Sequence, residues 1–486
     1  MKKVIIIGAG IAGIATSIRL RAKGIKVEVF ESNSYPGGKI SSFNLGNYRF
    51  DAGPSLFTMP HFVDELFDLF SENSKEHFLY KKKEISCNYF WEDGTRLSAF
   101  SDKNKFATEV EKKLGVPTSR LLKYLKKAEK KYDLTKTIFL EKSLHKLSTF
   151  LNTDTLKAIL NLNLFQIGKS LNAVNEKELI EPHLIQLYNR FATYNGSSPY
   201  KTPGMMTLIQ HLEQEYGTYV VEKGMVDIAN SLYKLAMRNG VVFNFNENVS
   251  KILVKNKKAI GVQVKDKKYY SDYVVSNMDI VPTFDKLLYG QKKPTIVLNQ
   301  ERSSSAVIFY WGIKKEFAEL DLHNIFFSDN YKKEFDLIFN KKQIYHDPTI
   351  YINITSKDVP SDAPKNCENW FVMINSPNNE NQNWETITTE QRKNVIKKIN
   401  NILKIDITPL IEKERIYTPK EIELKTQSYL GSLYGASSNN KMSAFLRHPN
   451  FSNNILNLYF CGGSVHPGGG IPLCLLSAKI VSNLIK

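Results

Sequence analysis

The sequence predicts an α/β fold for one domain of this chain, joined to a second domain of mixed α+β structure. At 486 residues the chain is too long for one simple core, so two domains are expected. Near the N-terminus, an apolar segment without alternation is followed by a glycine-rich turn and a helical pattern. Between residues 300 and 430, alternating polar and apolar residues predict half-buried strands, which supply the sheet of the second domain.

The first predicted element is a short buried strand that runs into a glycine turn. Lys3–Ile7 is rich in Val and Ile, as strands of parallel sheets are, and it leads into the motif GAGIAG. In such a GxGxxG turn, Gly8 makes the tight turn, Gly10 lets a pyrophosphate reach the backbone, and Gly13 permits close helix–strand packing. The phosphates then lie at the helix N-terminus, where free N–H groups and the helix dipole favour negative charge.

A second strand and an acidic residue complete this motif. Lys26–Phe30 alternates as a strand, and Glu31 directly after it is placed to accept hydrogen bonds from a ribose. A lone GxGxxG is weak evidence, and a plain structural turn is the alternative. Here the strand, the helix and the acid all stand at the right spacing, so the sequence predicts a Rossmann-type dinucleotide site. A signal peptide is not expected, because its removal would destroy this site.

A second glycine pair follows at once in "SNSYPGGKISSF". It suits a longer ligand with a second phosphate–sugar segment. The order strand, GxGxxG, helix, strand, Glu, PGG(R/K) resembles the FAD-binding half of the flavin amine oxidase and carotenoid desaturase superfamily. The resemblance implies FAD as the cofactor and places Gly38 and Lys39 near its phosphates. Arginine is common at the Lys39 position, and lysine keeps the charge but lacks the planar fork.

The next stretch, "FDAGPSLFTMP", contains a forced turn at Gly53-Pro54, and Ser55 and Leu56 expose backbone just beyond it. The stretch is similar to the FDxGPS segment of bacterial phytoene and carotenoid desaturases. That resemblance implies that Ser55 and Leu56 lie beside the flavin. A strand that ends in a tight turn is the purely structural interpretation, and the two interpretations are compatible.

The middle of the chain is predicted to return to the nucleotide domain. We expect Val249 on a strand that rejoins the parallel sheet, followed by a meander of short strands that leads to Asn277. The resemblance implies that both residues lie close to the adenosine half of FAD. We therefore predict a discontinuous FAD-binding domain of residues 1–80, 218–285 and 455–486. Residues 81–217 and 286–454 are predicted to form a domain that binds the substrate and associates with a membrane.

The C-terminal stretch "LYFCGGSVHPGGGIPLCLLSAK" is the most specific match to the carotenoid desaturases. Residues 457–461 predict a last strand, and residues 473–485 predict a helix. A strand-to-helix turn explains one glycine but not three in a row. The resemblance implies that four residues here face the ribityl chain and the isoalloxazine edge of the flavin: Gly463, Gly470, Ile471 and Pro472. Two glycine clusters from opposite ends of the chain are thus predicted to bind one cofactor.

The net charge of +17 favours an anionic partner, although a tolerant Lys-rich surface is the simpler interpretation. Residues 120–136 hold seven cations and two acids. They are interpreted first as a solvated helix face and alternatively as an amphipathic helix on anionic lipid. The sequence has no nucleic-acid signature, no apolar stretch of about 18 residues, and no disulfide or metal spacing among its four cysteines. We expect a cytoplasmic protein, peripherally associated with the inner face of the cell membrane, without nucleic-acid partners.

The resemblance implies an FAD-dependent carotenoid desaturase that introduces a C=C bond into a long polyene by hydride transfer to flavin. "GPSLFTMPHFVDELF" is most similar to the enzymes that 3,4-desaturate 1-hydroxylated carotenoids. The alternatives are a phytoene desaturase, a redox-neutral polyene isomerase or saturase, and a non-enzymatic basic membrane-binding protein. No catalytic acid or base and no metal ligand is assigned. His466 is interpreted as a residue that pins its loop or as a proton carrier.

Overall fold

The computed structural model describes residues 1–146, 149, 155, 157, 160–440 and 446–486. The other residues, all from the predicted second domain, lie outside this description. A five-stranded parallel sheet, here called the nucleotide sheet, forms around the N-terminal strand. Its order is Leu458–Phe460, Tyr273–Ser276, Lys3–Ile7, Lys26–Phe30 and Val242–Asn244. The strands therefore come from the start, the middle and the end of the chain.

The nucleotide sheet is covered by helices because its strands are apolar on both faces. Val4, Ile5 and Ile6 are fully buried, as expected for a central parallel strand. The first helix, Ile11–Ala22, packs against the C-terminal helix Ile471–Leu484, so both ends of the chain meet beside this sheet. The predicted bounds of the last strand and last helix differ from these by one or two residues.

A seven-stranded sheet, here called the large sheet, forms the centre of the second region. Its order is Ile411–Tyr417, Ser305–Ile313, Glu368–Ser376, Ile350–Ile354, His323–Phe326, Ile85–Phe90 and Arg96–Phe100. All neighbours run antiparallel except His323–Phe326 and Ile85–Phe90, which are parallel. Two further antiparallel pairs are the hairpin of Ser41–Leu45 with Tyr48–Ala52 and the long-range pair of Tyr80–Lys82 with Tyr219–Val221.

The prediction that Val249 returns to the parallel sheet was wrong. Val249 begins Val249–Lys255, which pairs antiparallel with Lys258–Val264 in a separate three-stranded sheet completed by Lys267–Tyr270. The strand that joins the nucleotide sheet at this point is Val242–Asn244. Val249–Lys255 has exposed residues among its buried ones, and such a strand suits an antiparallel sheet with one solvated face.

The helices of the described chain pack mainly on one another, and a few of them contact strands directly. Those not yet given are His61–Asp68, Lys103–Leu114, Thr118–Thr135, Leu162–Phe165, Leu171–Leu179, Pro182–Asn189, Ile209–Gln214, Val226–Arg238, Ile280–Pro282, Thr295–Leu298, Tyr331–Asp336, Trp384–Leu403 and Pro419–Thr426. None of the helices in the described ranges has the length and apolar character needed to cross a membrane.

Thr118–Thr135, here called the basic helix, carries most of the cations of residues 120–136. Its apolar residues, among them Leu121, Tyr124 and Leu125, are buried against neighbouring helices. Lys123, Lys126 and Lys130 are exposed on the opposite side. Since the protein itself covers the apolar face, this helix has no apolar face left for insertion into lipid, and its outer face is the solvated one.

Candidate cofactor and substrate site

One cavity of about 1390 Å³ extends from the nucleotide sheet to the large sheet. Ordinary ligand pockets measure roughly 300–1,000 Å³, so this cavity has room for more than one small ligand. Residues from both glycine clusters line its nucleotide end. Apolar side chains line much of the other end, including Phe139, Leu140, Leu208, Leu212, Ile325 and Phe371. The cavity therefore combines a polar, glycine-lined part with an apolar part.

The N-terminal glycine turn leaves no room for side chains. A Cβ atom at Gly13 would lie 2.2 Å from the carbonyl oxygen of Gly8, and one at Gly10 would lie 2.6 Å from Oδ1 of Asn277. Gly8 has a φ of +96°, which disfavours other residues. Gly8 and Gly10 line the cavity, whereas Gly13 lies behind them and permits the helix to approach the strand. Gly10 is the N-cap residue of the first helix, and no side chain caps this helix end. The N–H groups at the helix N-terminus are therefore available to phosphate.

Glu31 is held beside this turn by backbone donors. The N–H of Ala9 donates to Oε2 of Glu31 at 2.6 Å, and the N–H of Asn33 donates to Oε1 at 2.8 Å. Glu31 is buried and lines the cavity. The hydroxyl group of Ser32 also donates to Oε1 of Glu31, at 3.2 Å. A carboxylate accepts about four hydrogen bonds, so one acceptor position remains for a ribose hydroxyl group.

Asn277 lies at the centre of the nucleotide end. It follows Tyr273–Ser276, and its side chain abuts Gly8, Gly10 and Gly13. Its Nδ2 donates to the carbonyl oxygen of Cys461 at 3.1 Å, which ties the middle of the chain to its C-terminal part. Val249 lines the cavity near the same end. The structure thus brings Asn277 and Val249 to the predicted site, although Val249 arrives there from a different sheet.

Gly38 and Lys39 contact this end in different ways. A Cβ atom at Gly38 would lie 3.2 Å from Cα of Gly10, so the second glycine pair packs on the first turn. Both residues line the cavity. The ammonium group of Lys39 donates to Ser428 Oγ at 3.0 Å and to the carbonyl oxygens of Ser432 at 3.2 Å and Leu433 at 3.0 Å. Because an ammonium group has three donors, a direct bond to phosphate would replace one of these.

Ser55 and Leu56 line the cavity between its two ends. The hydroxyl group of Ser55 lies 2.8 Å from the hydroxyl oxygen of Tyr351 on the large sheet. The segment predicted to pass beside the flavin is therefore connected directly to the second region of the molecule.

The C-terminal glycines line the same cavity as the N-terminal turn. Gly463, Gly470, Ile471 and Pro472 all contribute to its wall. A Cβ atom at Gly469 would lie 2.9 Å from Cα of Tyr434, so packing within the protein explains this glycine. Gly470 has a φ of +100°, and no atom of the described residues lies within 4 Å of the Cβ position there. Space for a ligand thus remains at the start of the last helix.

His466 is held by the backbone. Its Nε2 lies 2.9 Å from the carbonyl oxygen of Lys142 and donates to it. Burial lowers the pKa of His466 to about 4, so the imidazole is neutral near pH 7. This geometry fits the loop-pinning interpretation of the sequence better than a proton carrier.

Arg447 is a site residue that the sequence analysis missed. It is buried, lines the cavity, and donates to the carbonyl oxygen of Tyr434 at 2.8 Å. A Cβ atom at Gly468 would lie 3.3 Å from its Nε. Burial, and then the charge of Arg302, lowers the pKa of Arg447 to about 10, which still leaves it cationic. A single arginine in a polar stretch gave no signal, because only folding brings it to the glycines.

These residues fit FAD. The uncapped helix N-terminus matches the phosphates of a dinucleotide, and the carboxylate of Glu31 matches its ribose. The buried cation Arg447 matches the negative charge of the dinucleotide. Residues from both glycine clusters line this one cavity, as the sequence predicted for a shared cofactor. Among the described residues no cluster of His, Cys, Asp and Glu is placed to hold a metal ion.

Comparison with known proteins places the chain among flavoproteins. The family model of flavin-containing amine oxidoreductases matches residues 11–282. The chain is 55% identical to a 1-hydroxycarotenoid 3,4-desaturase from Flavobacterium sp., over 100% of this chain and 99% of that protein. It is 30% identical to a 4,4'-diapolycopene oxygenase from Methylomonas sp., over 100% of this chain and 98% of that protein.

Solved structures confirm the predicted α/β fold. A double mutant of putrescine oxidase aligns with a TM-score of 0.65 at 12% identity, covering 100% of this chain and 98% of the other. An oxidoreductase from Methanosarcina mazei aligns with a TM-score of 0.64 at 15% identity and covers 100% of both chains. At these identities the likeness shows the fold alone.

Proposed function

The chain belongs to the flavin-containing amine oxidoreductase family, and we propose that it is an FAD-dependent carotenoid desaturase acting at the 3,4 position of a 1-hydroxylated carotenoid. The observation that carries the proposal is the 55% identity to such a desaturase over the full length of both chains. The geometry agrees with it, because one cavity joins the predicted FAD site to an apolar region.

In this reaction, the residues of the chain position the cofactor and the substrate and exclude water from the site. Gly8 and Gly10 would hold the FAD phosphates, Glu31 the ribose, and the loop at Gly470 the flavin end. When bound, FAD supplies the acceptor for the hydride that leaves the polyene. The apolar wall of the cavity binds the polyene, since each buried CH₂ group contributes about 0.8 kcal/mol. No side chain is assigned as the base that takes the accompanying proton.

Anaerobic mixing of the purified, FAD-loaded protein with a 1-hydroxylated carotenoid tests this proposal. Desaturation must bleach the flavin, shift the carotenoid absorbance to longer wavelength and give a product that lacks two hydrogen atoms. A redox-neutral isomerase would leave the flavin oxidised, and an oxygenase would give a product with added oxygen only in a parallel reaction exposed to air. A protein that cannot be loaded with FAD, or a flavin that stays oxidised with this substrate, would contradict the proposal.

The membrane association of this protein is proposed from its charge distribution. The basic helix packs against the helix Lys103–Leu114. The C-terminal end of that helix and the basic helix itself carry these exposed cations: Lys112, Lys113, Arg120, Lys123, Lys126 and Lys130. Cations near an anionic lipid surface contribute about 1 kcal/mol each. We expect this face to hold the enzyme electrostatically at the inner face of the cell membrane, where a water-insoluble polyene resides.

Sedimentation with vesicles tests this face. Replacing Lys123, Lys126 and Lys130 with Gln should weaken binding to anionic vesicles by about 3 kcal/mol, or roughly 100-fold. The control replaces the exposed Lys251, Lys267 and Lys268 with Gln, which removes the same charge elsewhere. Equal losses of vesicle affinity in the two triple variants would exclude the basic helix as the docking face. Equal binding of the wild type to neutral and to anionic vesicles would exclude it as well.

A further inference from the structure

A chain of three hydrogen-bonding side chains crosses from the predicted flavin segment to the large sheet. Ser55 Oγ lies 2.8 Å from the hydroxyl oxygen of Tyr351, and that oxygen lies 2.8 Å from Nδ1 of His323. All three residues line the cavity. His323 begins the strand His323–Phe326 and is only 3% exposed. The strand therefore places an imidazole ring in the cavity wall, two hydrogen bonds from Ser55.

The surroundings of His323 determine which of its nitrogens carries the proton. Nδ2 of Asn353 is a donor only, and it lies 3.3 Å from Nδ1 of His323. Its assignment as nitrogen is supported by the 2.9 Å bond that it donates to the carbonyl oxygen of Leu322. Nδ1 is therefore an acceptor, and the proton of a neutral ring is on Nε2. Burial lowers the pKa of His323 to about 3, which keeps the ring neutral near pH 7.

The Nε2–H group of His323 has no hydrogen-bond partner within the described part of the chain, although it is buried. An unpaired buried donor costs about 1–3 kcal/mol, so native structures rarely retain one without a reason. Because the ring lines the cavity, an oxygen atom of a bound ligand is the partner that this donor lacks.

The charge of the neighbouring Arg190 is already paired, although its Nε, like the hydroxyl groups of Tyr310 and Tyr331 in the same wall, has no hydrogen-bond partner among the described residues. Arg190 is buried in the same wall, donates to the hydroxyl oxygen of Tyr89 at 2.8 Å and lies 3.4 Å from the carboxylate of Glu213. A neutral N–H group flanked by a balanced ion pair suits a neutral oxygen acceptor rather than a carboxylate or phosphate.

We propose that Nε2–H of His323 donates a hydrogen bond to the tertiary hydroxyl oxygen of the carotenoid and thereby selects hydroxylated substrates. This inference rests on the proposed function. His323 is a specificity residue here and takes no part in hydride or proton transfer. Asn353 is a positioning residue because it sets the tautomer of the ring, and Tyr351 is one because its hydroxyl group holds the ring at Nδ1.

The chemistry of the substrate explains why this donor lies close to the flavin segment. In a 1-hydroxylated carotenoid, three bonds of about 1.5 Å separate the oxygen from C3, so the two atoms are within about 4 Å of each other. A hydrogen bond of about 3 Å then places the donor within roughly 7 Å of the reacting carbon. The ring of His323 is linked through Tyr351, by two hydrogen bonds of 2.8 Å each, to Ser55 in the segment that the resemblance places beside the flavin.

The test compares one polyene with and without its 1-hydroxyl group as substrates for FAD-loaded enzyme. For the wild type we expect the higher kcat/KM, read as anaerobic flavin bleaching, with the hydroxylated substrate. His323→Leu should lose at least about tenfold of this preference, because the donor is gone while the apolar wall remains. His323→Gln keeps an N–H donor at similar reach and should retain most of the preference.

A matched control comes from the same strand. Ile325 lies two residues along, on the same face of the sheet, and also lines the cavity. Ile325→Ala removes packing without removing a hydrogen bond, so it should change kcat/KM for both substrates by the same factor. If His323→Leu does not fold, His323→Asn takes its place, because its side chain is too short to reach the hydroxyl group.

Each outcome decides the inference. Equal loss with both substrates in His323→Leu, as in Ile325→Ala, would overturn it. A changed flavin spectrum or a weaker FAD affinity in His323→Leu would also overturn it, since the ring would then serve the cofactor. A wild-type enzyme that oxidises neither polyene would instead refute the proposed function, and the inference would fall with it.

Discussion

At the scale of single residues, the site depends on glycines, because a side chain at these positions would collide with neighbouring atoms. The N-terminal turn brings the Gly8 carbonyl oxygen and the Asn277 side chain so close to Gly13 that no Cβ atom fits. Lys39 shows the opposite situation, because its long side chain ties a distant segment to the second glycine pair. Both features can be tested by single substitutions.

Gly13→Ala should strongly reduce FAD binding, because the new Cβ atom would lie 2.2 Å from a backbone oxygen that cannot move independently. Overpacking of this kind costs roughly 1–3 kcal/mol. The measurement is the flavin-to-protein absorbance ratio of the purified variant. Gly168→Ala is the control, since no described atom lies within 4 Å of its Cβ position. Full FAD occupancy in Gly13→Ala would show that the turn can relax.

Lys39→Met should weaken both the fold and FAD binding. It removes three donated hydrogen bonds and leaves the carbonyl oxygens of Ser432 and Leu433 without this donor. We expect a loss of roughly 3 kcal/mol in the free energy of unfolding. Urea unfolding and FAD titration measure the two effects, and Lys292→Met, at an exposed position, controls for the loss of one charge. Lost FAD affinity with unchanged stability would assign Lys39 to the phosphates instead.

At the scale of elements, the basic helix shows how one segment serves the core and the surface together. Its inner face buries Leu121 and Tyr124, and its outer face presents lysines to solvent. Lys131 is the exception. It is buried, and its ammonium group donates to Gln166 Oε1 at 2.9 Å and Thr207 Oγ1 at 2.7 Å.

Lys131 should make stability rise at alkaline pH. Burial lowers its pKa to about 8, against 10.5 in the unfolded chain. Between these values the unfolded state binds more protons, so the free energy of unfolding increases with pH, by about 3 kcal/mol at most. Urea unfolding at pH 8 and pH 10 should show this rise in the wild type relative to Lys131→Met. The exposed Lys130→Met serves as the control, and identical pH profiles in all three proteins would contradict the prediction.

At the scale of the whole molecule, two sheets from interleaved chain segments enclose one cavity, and the buried His323 and His466 line it while the buried His448 lies outside its wall. Burial lowers the pKa of His448 and of His466 to about 4 each, and that of His323 to about 3. These rings are neutral in the fold and become protonated more readily when the chain unfolds. The assembly of the cavity is therefore linked to pH.

We expect the molecule to lose stability as the pH falls from about 6.5 to about 4. In that window the unfolded state binds more protons, and each such histidine contributes up to about 3 kcal/mol. His466→Gln should flatten the pH dependence of thermal unfolding, whereas His346→Gln, at an exposed position, should not. A His466→Gln profile parallel to that of the wild type would exclude this contribution.

Much of the nucleotide half was predictable because its signals are local. The glycine turn, the strands Lys3–Ile7 and Lys26–Phe30, and the last strand and helix each arise from short patterns of apolar residues and glycines. The predicted site residues other than Gly13 line one cavity. The prediction for the strand at Val249 was wrong because a short apolar run does not specify which sheet it joins.

The sequence by itself determined the α/β class and the dinucleotide motif, since residues close along the chain carry those signals, and its resemblance to a known superfamily implied FAD. Only the tertiary structure decided that Lys39 binds the segment around Ser432, that Arg447 reaches the C-terminal glycines, and that Ser55, Tyr351 and His323 connect. These partners are far apart along the chain. No periodicity relates them, because their proximity results from how two sheets pack around a common cavity.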